Sequence, residues 1–103
     1  MAQRAKAATL PLISPAQSRA ARAWLGWSQD DLANRGNVSV NTVRNFEGGQ
    51  KAVHPNSIGS MRQAIEAAGI KFLFDGRGEA AGIIRQSVPI HELKGNGRKT
   101  GKS

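Results

Sequence analysis

Residues 28–46 have the sequence SQDDLANRGNVSVNTVRNF, in which two short helical patterns are separated by a four-residue break. Ser28 predicts the start of the first helix, because a serine oxygen before a helix accepts a hydrogen bond from the first turn. Leu32 and Ala33 supply the inward face of that helix. Gly36-Asn37 predicts its end, since glycine and asparagine are the residues that most readily adopt a left-handed backbone.

The second pattern predicts a helix with one apolar and one polar face. Ser39 is its expected N-cap, and Val43 and Phe46, three residues apart, form the apolar face. Val38, in the break, is expected to be buried. The polar face suits base edges in the DNA major groove, where asparagine pairs with adenine, arginine with guanine, and an apolar group packs on the thymine methyl. We expect base contacts from Val40, Asn41, Arg44 and Asn45.

Many residues in and around this stretch match one known pattern in register. The chain from Pro15 to Phe74 resembles the Cro/C1-type helix-turn-helix family, also called the XRE family, of bacterial and phage DNA-binding proteins. The chain departs from the pattern at Asn37, where the family usually has glycine. The matching residues are Arg22, Leu25-Gly26-Trp27-Ser28, Gln29, Leu32, Ala33, Val38, Val43, Phe46 and Glu47-Gly48-Gly49.

The resemblance implies that the second helix of the pair enters the major groove while neighbouring groups hold the DNA backbone. Gln29 opens the first helix of the pair, where free backbone N–H groups attract a phosphate. Gly48-Gly49 after the second helix, with exposed amides and a lysine nearby, predicts another phosphate contact, although two glycines equally predict a simple helix end. We expect phosphate contacts from Ser28, Gln29, Ser39, Gln50 and Lys51.

Arg22 and Glu47 are expected to form a structural ion pair. In the family, an arginine at the position of Arg22 pairs with the glutamate that ends the recognition helix, and the resemblance carries this role to these two residues. Breaking a half-buried pair from one side costs roughly 3–5 kcal/mol. The alternative that they are two unrelated surface charges stays open.

A helix upstream is predicted by Ser14-Pro15-Ala16-Gln17, which combines a capping serine, a proline at the first helical position and a glutamine that can reach back. It should run to Leu25 and end at Gly26. We expect three apolar residues of this helix, and one tryptophan just beyond it, to face the core: Ala20, Ala23 and Trp24, with Trp27.

A fourth helix is predicted from about Ser57 to Ala68, after a loop at residues 52–56. Gly69 is its expected stop, and Arg62 and Glu66 form an exposed pair one turn apart. Its apolar residues, at helical spacing, are Ile58, Met61, Ile65 and Ala68.

The spacing of apolar residues changes after this helix. Ile70–Phe74 alternates as a strand does, Asp75–Gly78 predicts a turn, and Gly82–Gln86 can return as a partner strand. A two-stranded ribbon is marginal by itself in water. We therefore expect it to pack on the helices or to pair with another chain, and to contribute to a homodimer.

The chain has 103 residues and a net charge of +8, which favours a polyanionic partner. Residues 1–13, an arm that we expect to be disordered, carry +2, and residues 14–69, the helix-turn-helix domain, also carry +2. Residues 70–86, the ribbon extension, carry +1, and residues 87–103, a basic and mostly disordered tail, carry +3. Because most of the excess lies outside the domain, the motif indicates DNA binding more specifically than the charge does.

Several classes of site are not expected. The chain has no cysteine, which excludes disulfides and thiolate metal sites. His54 and His91 lie far apart, without a carboxylate cluster nearby, so we expect no catalytic residues, no metal, no cofactor and no enzyme. No apolar run approaches the ~20 residues of a membrane helix, and the first residues do not form a signal peptide, so we expect a cytoplasmic protein.

These patterns predict a mainly α fold, with a lambda-repressor-like helix-turn-helix domain of about four helices followed by a C-terminal two-stranded β-ribbon and flanked by disordered basic tails. We expect a sequence-specific, double-stranded DNA-binding transcriptional regulator that acts as a repressor by occupying its operator. Two alternatives stay open. The first is an antitoxin, which neutralises a toxin protein and represses its own operon, as some members of the family do. The second is an interaction adaptor that recruits other transcription machinery, with DNA binding secondary.

Overall fold

Four helices and one two-stranded antiparallel sheet form the part of the chain that the computed structural model describes, residues 11–50 and 52–86. The fold is mainly α, as expected. The helices are α1 (Pro15–Leu25), α2 (Gln29–Gly36), α3 (Val40–Glu47) and α4 (Pro55–Ala67), and the strands are β1 (Ile70–Phe74) and β2 (Ala80–Arg85).

Reciprocal capping contacts begin α1 and α2. The Ser14 hydroxyl accepts from the backbone N–H of Gln17 at 3.1 Å, and the Gln17 Oε1 accepts from the N–H of Ser14 at 2.9 Å. Ser28 and Asp31 repeat the arrangement, with both bonds at 2.9 Å. Each pair of reciprocal bonds, called a capping box, satisfies two backbone donors that a helix start leaves unpaired. Both predicted helix starts are therefore confirmed. α1 ends at Gly26, whose φ is 73°.

The connection between α2 and α3 contains only residues 37–39. Asn37 adopts the left-handed conformation predicted for the break, with φ 55°. Gly36 precedes it and is buried against α4, where an added Cβ would lie 3.4 Å from the Cα of Met61. The two residues therefore have different roles: Asn37 makes the turn, and Gly36 permits the close contact between α2 and α4. Val38 is half-buried against the core.

The apolar core lies among the four helices and the inner face of the sheet. On α2, α3 and α4 its members are the residues that helical spacing predicted, except that Ala68 is exposed just beyond α4. The buried apolar residues are Ile13, Ala21, Leu32, Ala33, Val43, Phe46, Ile58, Met61, Ile65, Ile70 and Phe72.

The predicted core face of α1 is wrong. Ala20 and Ala23 are exposed and Trp24 is 63% exposed, whereas Gln17 and Ser18 are buried at 3% and 0%. The two polar residues face inward because each has a partner there: Gln17 binds the ribbon and Ser18 binds Glu47. Trp27, beyond the helix, is half-buried against the core, as expected, and the guanidinium of Arg35 lies 4.5 Å from the centre of its ring.

Two predicted boundaries also need correction. Ile13, which we assigned to a disordered arm, is only 2% exposed and belongs to the core, and the carbonyl of Pro11 accepts a 3.1 Å hydrogen bond from Arg62. The fourth helix begins at Pro55 rather than near Ser57, because the side chain of His54 accepts from the N–H of Asn56 at 3.0 Å and caps it. The rest of the arm, residues 1–10, lies outside the described residues.

The sheet forms as predicted but with a longer second strand. β2 begins at Ala80 rather than Gly82, and the register shifts between Leu73 and Phe74, so the pairing contains a bulge. Gln17 lies against this bulge, where its Nε2 donates to the carbonyls of Leu73 and Gly82, both at 2.9 Å. The ribbon thus packs on the helices, one of the two arrangements we expected.

The predicted basic tail, residues 87–103, and Lys51 lie outside the described residues. Within residues 11–50 and 52–86, no helix has the length and apolarity needed to cross a membrane.

Candidate nucleic-acid interface

The outer face of α3 carries three exposed polar side chains. Asn41, Arg44 and Asn45 are exposed, and Arg44 donates from Nη1 to the Asn41 Oδ1 at 3.3 Å. Their direction follows from the opposite face, where Val43 is 0% and Phe46 5% exposed and both are held in the core. The structure therefore brings three of the four predicted base-contacting side chains together on one accessible surface.

Val40, the fourth predicted base-contacting residue, has a different environment. It is half-buried and packs against the apolar core at the first turn of α3. Val40 can contribute an apolar contact, but most of its side chain supports the fold.

The end of α3 is joined to α1 and α2 through Glu47. Arg22 donates to both carboxylate oxygens of Glu47, from Nη2 to Oε1 at 2.7 Å and from Nε to Oε2 at 2.9 Å. Ser18 donates to Oε2 at 2.6 Å, and Gln29 donates to Oε1 at 3.1 Å. The side chain of Glu47 is 2% exposed, so these four bonds replace water almost completely. The predicted pair between Arg22 and Glu47 is confirmed, and it belongs to a larger network.

The network determines the charge state of Glu47. Burial alone would raise the pKa of its carboxyl group, but the hydrogen bonds from Arg22, Ser18 and Gln29, together with the charge of Arg22, lower the pKa by more. The net result is a pKa below the ordinary value for glutamate. The pKa of Arg22 is raised, mainly because it donates hydrogen bonds to this carboxylate. Both groups are therefore charged at neutral pH, and the pair anchors the C-terminal end of α3.

Three members of this network were missed at the level of sequence. Ser18 lies one turn before Arg22 on the same face of α1, and that spacing was the available signal. Arg19 donates from Nη1 to the backbone carbonyl of Glu47, and Gln29 reaches the carboxylate from α2. The contacts of Arg19 and Gln29 depend on how the helices pack, which spacing within one helix does not reveal.

The start of α2 offers less to a phosphate than the sequence suggested. Gln29 is a predicted phosphate contact, but its side-chain amide donates to Glu47 instead of pointing outward. Its backbone N–H still belongs to the first turn of the helix, where N–H groups lack partners within the helix. Ser28 is exposed, and its hydroxyl oxygen accepts from Asp31. Asp30 and Asp31 place two carboxylates in the same turn, where they suit the helix dipole but repel an anion. Ser28 is thus the side chain best placed here for a phosphate.

The phosphate contact predicted from backbone amides at the end of α3 also needs correction. The backbone amides of Gly48, Gly49 and Gln50, which we expected to be free for a phosphate, donate to the carbonyls of Arg44, Phe46 and Asn45 at 2.9–3.0 Å. Gly49, with φ 87°, permits this closure. The two glycines therefore end the helix, which was the alternative we left open. The exposed side chain of Gln50 remains available to a phosphate, and Lys51 lies outside the described residues.

Ser39, another predicted phosphate contact, caps α3. Its hydroxyl accepts from the N–H of Thr42 at 3.0 Å and lies 2.9 Å from the Thr42 hydroxyl. Both residues are at the N-terminal end of the helix that carries Asn41 and Arg44, and Ser39 is exposed. Ser39 and Ser28 therefore present hydroxyl groups at the starts of α3 and α2.

The side chain of His54 caps α4. Among residues 11–50 and 52–86, no group of three or more histidine, aspartate or glutamate side chains is arranged to hold a metal ion.

No protein-family model matches this chain, and no curated protein matches it either. The resemblance to the Cro/C1-type family stays a prediction from the residues quoted above.

Proposed function

We propose that this protein is a sequence-specific, double-stranded DNA-binding transcriptional regulator that represses by occupying an operator. In this proposal α2 and α3 are a helix-turn-helix, residues 14–69 form a lambda-repressor-like domain, and α3 enters the major groove. The observation that carries the proposal is the combination found on α3, a helix with an exposed face of Asn41, Arg44 and Asn45 and a buried, ion-paired end at Glu47.

A surface that distinguishes base pairs has to be held rigidly, because a displacement of about 0.5 Å already spoils a productive polar contact. α3 meets this requirement at both ends, through the Ser39 cap and through the network of Glu47. Asparagine and arginine are the side chains that bind adenine and guanine with two hydrogen bonds each, and one such contact supplies about 1–3 kcal/mol of discrimination.

Phosphate contacts would position the helix without selecting a sequence. Three exposed residues lie at helix ends: Ser28 before α2, Ser39 before α3 and Gln50 after α3. Gln29 would contribute through its backbone N–H, since its side chain is bound to Glu47. Lys51 supplies the positive charge next to Gln50 in the sequence.

The first test is selection of bound fragments from a random pool of duplex DNA, followed by binding measurements with variants. Arg44→Ala should reduce affinity for the selected sequence by about tenfold to a hundredfold while leaving affinity for random DNA nearly unchanged, because it removes a base contact. Arg77→Ala is the matched control, since Arg77 is an exposed arginine in the turn between β1 and β2. It should bind the selected sequence as the wild type does.

Lys51→Ala separates the phosphate contacts from the base contacts. It should weaken binding to all sequences alike and reduce the salt dependence of log K by about one unit of slope. Failure to enrich any sequence, or equal losses for selected and random DNA in Arg44→Ala, would contradict the proposal.

A further inference from the structure

Two polar side chains on the outer face of α3, those of Asn41 and Arg44, are bonded to each other. Arg44 donates from Nη1 to the Oδ1 of Asn41 at 3.3 Å, and both side chains are exposed. Residues three apart on a helix are neighbours on its surface, so the regular backbone of α3 permits this contact. Because Val43, between them in the sequence, is held in the core, the bonded pair faces away from the fold.

The bond leaves many hydrogen-bonding groups of both side chains for another molecule. A guanidinium has five N–H donors, one of which binds Asn41 here. An amide oxygen has two lone pairs, of which the bond to Arg44 occupies one, and the amide nitrogen carries two hydrogens. Asn41 therefore offers an acceptor and a donor side by side, and Arg44 next to it offers donors alone.

The separation of the bonded groups matches the separation of stacked bases. Nη1 and Oδ1 lie 3.3 Å apart, and successive base pairs of DNA lie about 3.4 Å apart along the axis. Bases two steps apart would be separated by about 7 Å, and to reach both of them the pair would have to break its bond. Purines of one strand present their edges on the same side of the major groove, which is about 12 Å wide, whereas purines of opposite strands do not. The bonded pair therefore fits two neighbouring purines of one strand.

We infer that Asn41 and Arg44 read DNA as one bonded pair, which recognises an adenine and a guanine that are neighbours in the same strand, in either order. The inference rests on the proposed function, and it specifies a dinucleotide that the operator has to contain. Two readers that acted independently would each keep their base preference when the other is removed. A bonded pair would not.

The chemistry of the two side chains assigns adenine to Asn41 and guanine to Arg44. Adenine presents an acceptor at N7 and a donor at N6, which match the amide nitrogen and the remaining lone pair of Oδ1. Guanine presents two acceptors, O6 and N7, which match two guanidinium donors. With guanine at Asn41, Oδ1 would meet the O6 acceptor. The amide does not escape this clash by turning over, because Oδ1 would then lose its bond to Arg44.

Loss of Arg44 should therefore weaken the base selection made by Asn41. Without the bond the amide turns over freely, so its nitrogen can donate to the O6 of guanine. We expect the wild type to prefer adenine over guanine at the Asn41 position by about thirtyfold, as a good bidentate contact does. In Arg44→Ala the same preference should fall to about threefold, because residues that share a hydrogen bond do not act additively.

Selection from a random pool of duplex DNA, followed by fluorescence anisotropy on single-base variants of the enriched site, tests the inference. Every strongly enriched wild-type site should contain adenine next to guanine in one strand. Arg44→Ala should lose the guanine preference and most of the adenine preference. The double variant of Asn41→Ala and Arg44→Ala should bind the site only about threefold more weakly than Arg44→Ala, whereas independent readers would give the full thirtyfold.

Asn45→Ala is the matched control for the coupling. Asn45 is the same type of residue as Asn41 and is exposed on the same face of α3. Its substitution should alter the preference at a different base pair and leave the ratio of adenine to guanine at the Asn41 position as it is in the wild type. All three substituted residues are exposed, so each variant should keep the circular dichroism and the melting temperature of the wild type.

The outcomes of these experiments separate the inference from the proposed function. Enrichment of no sequence would overturn both. Enriched sites in which adenine and guanine are not neighbours in one strand would overturn the inference and leave the proposed function intact. An Arg44→Ala protein that keeps the whole adenine preference of the wild type would do the same, because it would show that Asn41 reads its base alone.

Discussion

Two ion pairs in the described part of the chain have almost the same geometry and very different surroundings. Arg22 and Glu47 approach to 2.7 Å, and Arg62 and Glu66 approach to 2.8 Å. The side chains of the first pair are 18% and 2% exposed, whereas those of the second are 30% and 40% exposed. Distance alone would assign both pairs the same energy, so their contrast separates the effect of geometry from that of environment.

The environment decides what happens when one partner is removed. Around Glu66 water can solvate whichever charge remains, and exposed pairs of this kind contribute about 0–1 kcal/mol. Around Glu47 water is excluded, so loss of the carboxylate charge leaves Arg22 without its counter-ion, and Ser18 and Gln29 with a poorer acceptor. The second pair is a local contact within one helix, while the first joins residues 25 positions apart and determines how α1 meets α3.

The largest expected effect is that of Glu47→Gln, which keeps the shape of the side chain and removes its charge. We expect a loss of about 3 kcal/mol in the free energy of unfolding, because the guanidinium of Arg22 remains partly buried without a compensating charge. Urea denaturation followed by circular dichroism measures the change. A loss below about 1 kcal/mol would mean that the buried pair contributes no more than a surface pair.

The sequence predicted the existence of this pair but not its extent. Arg22 and Glu47 were assigned through a resemblance between positions in the chain, and that assignment holds. Ser18 and Gln29 were not assigned, because their role depends on three helices meeting at one carboxylate. The fold was predicted on the same basis: local signals such as the capping residues and apolar spacing located four helices and two strands, but they did not determine which helix faces meet.

α1 illustrates the limit most clearly. Its apolar residues suggested a core face through Trp24, yet the buried face includes Gln17 and Ser18. A buried polar side chain is tolerated when its hydrogen bonds are satisfied, and here the partners are the bulged ribbon and Glu47. Neither partner is visible in the sequence of α1. The hydropathy of one helix therefore gave the wrong rotation, and only tertiary contacts correct it.

An effect of at most the same size is expected from acid, because protonation removes the charge of Glu47 without changing its shape or removing its oxygens. Since the pKa of Glu47 in the folded protein lies below its ordinary value of about 4.5, its contribution to stability is complete above about pH 4.5 and is lost as the pH falls through the folded-state pKa. Asp31 and Asp75 also have lowered pKa values, owing mainly to backbone hydrogen bonds from Ser28 and Glu79. They act in the same direction as Glu47.

The contribution of Glu47 can be isolated by comparing the wild type with Glu47→Gln in urea titrations between pH 7 and pH 2. The difference in unfolding free energy should be constant down to about pH 4.5 and shrink below it, because both proteins then carry a neutral side chain at position 47. A difference that persists unchanged at the acid end would show that the charge of Glu47 is not what stabilises the fold.

Glu66→Gln is the same substitution at the exposed pair and should have the smallest effect, a loss below about 0.5 kcal/mol. Changing Glu66 rather than Arg62 matters, because Arg62 also donates to the carbonyl of Pro11 and lies over the rings of Phe72 and Phe74 at 5.7 and 5.4 Å. Removing Arg62 would therefore disturb the packing of the ribbon and overstate the value of the pair. Urea denaturation of Glu66→Gln under the conditions used for Glu47→Gln gives the comparison directly, and a loss as large as that of Glu47→Gln would show that burial does not distinguish the two pairs.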